Sequence, residues 1–83
     1  MLVFFLHLTE NRGQVPDFEG IELPDLEAAI SIALDSALDI MVADVKKGRL
    51  DLEGRIDISD ESGDVVHVVH FRELIDVVGS TRV

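Results

Sequence analysis

Two stretches of this chain, LVFFLHL from Leu2 to Leu8 and VVHVVHF from Val65 to Phe71, carry apolar side chains at both odd and even positions. Successive side chains of a strand point to opposite faces, so such strands need cover on both sides of their sheet. Only one long helical pattern is available to supply it. It runs from Pro24 to Lys47: Pro24 suits a first helical position, Asp25 and Glu27 sit where the N-terminal dipole favours negative charge, and Lys46, Lys47 and Gly48 form a matching C-terminal end. At 1.5 Å per residue this helix would span about 35 Å and shelter one side of a sheet.

Wound at the α-helical period, Leu26, Ala29, Ile30, Ala33, Ala37, Ile40 and Met41 form one stripe, the alanines permitting close approach to a sheet. Ser31, Asp35, Asp39 and Lys46 lie opposite, yet Ile32, Leu38, Val42 and Val45 also fall outside the stripe, more apolar surface than a lone amphipathic helix needs. Asp44 falls near the stripe and is expected beyond the sheet edge or against Arg49 or Arg55. TENRGQVPDFEGIELP, from Thr9 to Pro24, is punctuated by Gly, Pro and Asn and reads as a loop with a short extended piece around Gln14 and Val15.

RIDIS and VVHVVHF flank the turn DESGD and read as a hairpin with Gly63 left-handed. An unbroken register pairs Asp60 with Asp64, Ile58 with Val66, Asp57 with His67, Ile56 with Val68 and Arg55 with Val69. Ile56, Ile58, Val66, Val68 and His70 then lie under the helix with Leu2, Phe4, Leu6 and Leu8, and Val3, Phe5, His7, Arg55, Asp57, Ser59, Val65, His67, Val69 and Phe71 share the other face. FRELIDVVG places Phe71, Leu74, Ile75 and Val78 at helical spacing and predicts a short C-terminal helix. The expected architecture is a single α+β domain over residues 1–83, β-α-β-β, with a three-stranded, mainly antiparallel sheet and the long helix on one face.

At 83 residues a single core supplies only a few kcal/mol, and self-association commonly helps. With no Cys, a disulfide or thiolate metal site is excluded, in keeping with a reducing cytoplasm. Seventeen acidic residues against seven basic ones give a formal net charge of −10, which repels a phosphate backbone and argues against direct nucleic-acid binding. The start MLVFFLHL lacks a basic region and a cleavage site, and no run is long enough to span a membrane.

FFLHL at Phe4 to Leu8, DFEGIELPDLEAA from Asp17 to Ala29, the DESG turn and HF at His70 and Phe71 together resemble a bacterial family of short proteins classed as a domain of unknown function. The resemblance spans nearly the whole chain and implies a β-α-β-β order and a cytoplasmic setting, but it brings no catalytic residues. Members tend to carry more charge on the outer helix face, from which Ile32, Leu38 and Val42 depart. The strand-loop-helix order and negative charge are also similar to the acidic antitoxins of HicB type, without their separate DNA-binding tail.

Asp57 and His67, as predicted cross-strand neighbours, have the geometry of an oriented base, but no Cys accompanies them and Ser59 has no evident oxyanion donors. His67 and His70, three apart on a strand, point to opposite faces and do not share a metal ion; His7 and His67 share a face without a carboxylate set. No Gly-rich phosphate cradle is present. These readings exclude an evident cofactor or catalytic centre and favour protein association. The expected homodimer contact comprises Val3, Phe5, Val65, Val69 and Phe71 with Arg55, Asp57 and His67 as its polar part, together with Ile32, Leu38 and Val42 on the helix. The alternative is an acidic inhibitor of a basic protein, using a negative ridge of Asp17, Glu19, Glu22, Asp25, Glu27, Asp35 and Asp39.

Overall fold

The computed structural model describes residues 1–75. In chain order its elements are β1 (Leu2–Glu10), β2 (Gly13–Val15), β3 (Ile21–Leu23), α1 (Leu26–Lys46), β4 (Arg55–Ser59) and β5 (Val65–His70), followed by a 3-10 turn at Phe71–Glu73. The class is α+β, but the antiparallel sheet has five strands rather than the three expected. Its order is β2-β1-β4-β5, with β3 also paired to β1. The C-terminal helix expected through Val78 is a 3-10 turn at Phe71–Glu73, Leu74 and Ile75 are not helical, and only its part after Ile75 lies outside the described residues.

The segment read as a loop contains both additional strands. Leu8 pairs with Val15 and Phe4 with Ile21, so Phe5 to His7 of β1 run opposite the longer segment Pro16 to Gly20. β2 and β3 are therefore two pieces of one interrupted strand, and the surplus chain between them bulges out. Gly20 takes φ +74, and a Cβ there would come within 2.9 Å of the Phe5 ring and Val3, so the bulge lies against the side chains of β1. Three-residue strands flanked by glycine are too short to reveal a period, which is why only the extended piece at β2 was legible.

Helix α1 begins two residues later than its proline suggests. Asp25 is the N-cap, its carboxylate accepting from the Ala28 N–H at 2.9 Å, and Pro24 stands outside the helix. At the other end Gly48, with φ +83, lets its own N–H reach the Val45 carbonyl and the Arg49 N–H reach that of Asp44, at 2.9 and 3.0 Å. Asp25→Ala is expected to cost about 1 kcal/mol, read as a fall in melting temperature of roughly 4–8 °C by circular dichroism. Asp25→Ser should recover most of it.

Ala29, Ala33, Ala37 and Met41 form the buried stripe of α1, as the helical period requires. They pack with Phe4 of β1, Ile56 and Ile58 of β4, Val69 of β5 and Phe71, while Leu6 and Leu8 lie partly buried against this cluster. Burial of β-branched and aromatic side chains against small helical ones keeps the two layers close.

The β4–β5 register departs from the unbroken one at a single place. The turn closes as expected, with Asp60 N–H donating to the Asp64 carbonyl at 2.9 Å and Ser59 opposite Val65, but a bulge follows and Ile58 pairs with His67. Val66 is the extra residue, and every later residue of β5 changes face: Ile56 pairs with Val69, Asp57 with Val68 and Arg55 with His70. Val69 and Phe71 consequently lie in the core rather than on the outer face, and Val68 and His70 leave the helix side.

Candidate functional site

Among the described residues, several places bring polar or exposed apolar side chains together. The first lies on the sheet face away from α1, where the alternation of β1 places His7 beside Asp57 and near Ser59 of β4. His7 Nδ1 accepts the Asp17 backbone N–H at 3.0 Å, and its Nε2 lies 2.9 Å from Ser59 Oγ. A backbone N–H only donates, so the ring carries its proton on Nε2 and donates it to Ser59. A histidine that activates a serine has the reverse polarity, with Nε2 accepting the hydroxyl proton. The Phe5 and His7 rings lie nearly parallel at 6.5 Å, and the adjoining hollow, about 270 Å³, is lined by Thr9, Gln14, Pro16, Asp57 and Val65 among others.

Asp17 anchors the bulge to this face. Its Oδ2 accepts the Leu6 N–H, and its Oδ1 accepts those of Glu19 and Gly20, all at 3.1 Å. Partial burial raises its pKa, but the three backbone donors together with nearby His7 outweigh that and hold the carboxyl below its ordinary range. The second sheet face is thus partly roofed by the protein's own chain, and Val3 and Phe5 are half-buried beneath it.

The second place is a polar joint at the turn between β1 and β2. Asp51, buried, accepts the Asn11 backbone N–H at 2.9 Å, the Asn11 side-chain amide at 3.1 Å and the Glu53 N–H at 2.9 Å. The Asn11 bond chiefly lowers its pKa against the opposing effect of desolvation, with help from Glu53, Arg49 and Arg12. Asp44, also buried, faces Arg12 at 3.9 Å rather than the expected Arg49 or Arg55. Neighbouring turn residues are therefore held by two acids of the helix end and the following connection.

The third place is an apolar groove on the C-terminal half of α1. Leu38, Met41, Val42 and Val45 line it with Leu50 from the connection to β4 and Ile75, enclosing about 380 Å³. Leu38, Val42, Val45 and Leu50 are 41%, 54%, 57% and 39% exposed, so this is surface rather than core.

The expected contact residues divide accordingly. Leu38 and Val42 meet in the groove, Ile32 is half-buried away from it, and Val45 and Leu50 complete what the contact set omitted. Val69 and Phe71 are removed from the set because they fill the core. Val65 and His67 are exposed, whereas Arg55 and Asp57 pair with each other at 3.0 Å; the expected neighbour relation of Asp57 with His67 is lost to the bulge. Of the acidic ridge, Asp17 and Asp25 are engaged in the fold, and Glu19, Glu22, Glu27, Asp35 and Asp39 are exposed. Among the described residues no group of His, Cys, Asp or Glu has the arrangement of a metal site, and no helix is long and apolar enough to cross a membrane.

Neither a curated protein nor a solved structure matches the chain significantly. A family match spans residues 3–72, from the second residue of β1 into the 3-10 turn, and so takes in the interrupted edge strand, the helix and the bulged hairpin. The chain belongs to the family described as Domain of unknown function (DUF6894).

Proposed function

We propose that this domain is a small, non-enzymatic association module that pairs with a second copy of itself through the apolar groove of α1. The observation that carries the reading is the groove itself: four large aliphatic side chains stand contiguously exposed on one side of a chain of 9.2 kDa. Removing such side chains from water is favourable by about 25 cal/mol per Å² of apolar area, and contiguous patches of this kind mark contact surfaces. The sheet face is less available, because the Pro16–Gly20 segment lies over part of it. The polarity of the His7–Ser59 bond supports the non-enzymatic part of the reading.

Sedimentation velocity or size exclusion with light scattering is expected to give twice the chain mass at micromolar concentration. Val42→Glu places a charge in the centre of the contact and should weaken pairing by about tenfold or more, while the melting temperature of the monomer stays nearly unchanged. A wild-type mass of one chain at high concentration would reject the proposal.

A second reading rests on the exposed acids Glu19, Glu22 and Glu27 near the start of α1, with Asp35 and Asp39 further along. In it the domain is an acidic inhibitor of a basic protein. Capture of such a partner would fade steeply as ionic strength rises, whereas apolar self-pairing would persist.

A further inference from the structure

We infer that the two copies pair through their α1 helices in antiparallel orientation, about a two-fold axis beside Val42, with Asp35 and Asp39 of each copy facing Lys46 of the other. This rests on the self-pairing reading and adds its geometry. At 100° per residue, Ser31, Leu38, Val42 and Val45 fall on one stripe of the helix, and Asp35, Asp39 and Lys46 fall together on one flank of that stripe. All the acids of that flank precede Val42. The bases follow it: Lys46 lines the groove, and Arg49 stands just beyond the helix.

The axial spacing makes this arrangement self-complementary. Asp39 lies about 4.5 Å before Val42 along the helix and Lys46 about 6 Å after it. A two-fold axis at Val42 carries a flank onto the same flank of the second copy with its direction reversed, so Asp39 and Lys46 meet within about 1.5 Å of axial register. Asp35, one turn further out, lies about 10 Å from the axis and so about 4.5 Å from the level of the same lysine. Parallel pairing would instead lay this flank against the opposite one, which carries Leu38 and Val45, and leave the charges without partners. For a chain of net charge −10, which repels its own copy at long range, opposite charges at the contact decide which orientation is admitted.

The absence of cysteine allows a direct test by single-cysteine oxidation. Val42→Cys is expected to form a covalent dimer, whereas Ser31→Cys, about 16 Å from the axis, would sit roughly 33 Å from its counterpart and stay monomeric on a non-reducing gel. Asp39→Lys and Lys46→Glu proteins should each pair about tenfold more weakly with themselves, and mixing the two should restore dimers by native mass spectrometry. If the wild type dimerises and Val42→Glu disrupts it, but Ser31→Cys cross-links or the mixture fails to pair, the antiparallel geometry is wrong and the association reading stands. If the wild type is monomeric, or dimerises only once residues 76–83 are removed, both fail.

Discussion

Gly54→Ala is expected to lower the melting temperature by about 10–20 °C, corresponding to a loss of roughly 2–3 kcal/mol in a domain of this size. A Cβ at position 54 would stand 2.6 Å from two atoms of the Phe71 ring, closer than carbon atoms approach without displacement. The ring cannot swing outward cheaply. Phe71 is fully buried and its N–H donates to the Gly54 carbonyl at 3.0 Å, so backbone and side chain are fixed against the same residue. Unlike the turn glycines, Gly54 has no positive φ, and its requirement is one of space alone.

That origin can be separated from a general intolerance of the β4 entry. Phe71→Leu removes Cε2, one of the two ring atoms nearest to position 54, and should itself cost about 1–3 kcal/mol as a cavity forms. Combined with Gly54→Ala, it should cost clearly less than the sum of the two, because the added methyl then occupies vacated space. Strict additivity in denaturant titrations, or a Gly54→Ala protein as stable as the wild type, would show that the ring does not set the requirement.

The layers of this fold are largely legible in the sequence, and the departures have identifiable causes. The alanine stripe from Ala29 to Ala37 and the alternation of Phe4, Leu6 and Leu8 each follow one period without interruption, and both reach the core as expected. VVHVVH fails differently: its valines lie at both parities, so shifting one residue leaves each face about equally apolar, and the bulge at Val66 has no signature. The helix groove is half legible. Leu38 and Val42 stand out as excess apolar residues on the helix, but Ile75 joins them only through the fold, from a segment beyond β5 that no local pattern ties to the helix. Asp17 is concealed for the same reason, since nothing near it in sequence tells that its carboxylate serves the backbone of Leu6.

Asp17→Ala should be the second severe change, with an expected loss of about 2–3 kcal/mol, and the amide of Leu6 should report it. Where the partner strand is interrupted, the Leu6 N–H has the Asp17 carboxylate as its acceptor, and the other oxygen closes the bulge through Glu19 and Gly20. Without it a donor inside the sheet loses its partner, so Leu6 hydrogen exchange should accelerate ahead of that at neighbouring β1 positions paired to β4. Asp17→Asn should fall between, because an amide presents its oxygen to only one of the two sides. The pH dependence has a defined sign. A carboxyl held below its unfolded-state value of 3.8 contributes its full stability above that value and loses it as pH falls through the lower folded value. The gap in stability between wild type and Asp17→Ala should therefore be constant near neutrality and narrow on acidification below about pH 4, with Asp51 adding to the wild-type acid sensitivity in the same direction. A gap that persists unchanged into strong acid, or a Leu6 amide exchanging at the wild-type rate in Asp17→Ala, would separate the carboxylate from the strand it is inferred to hold.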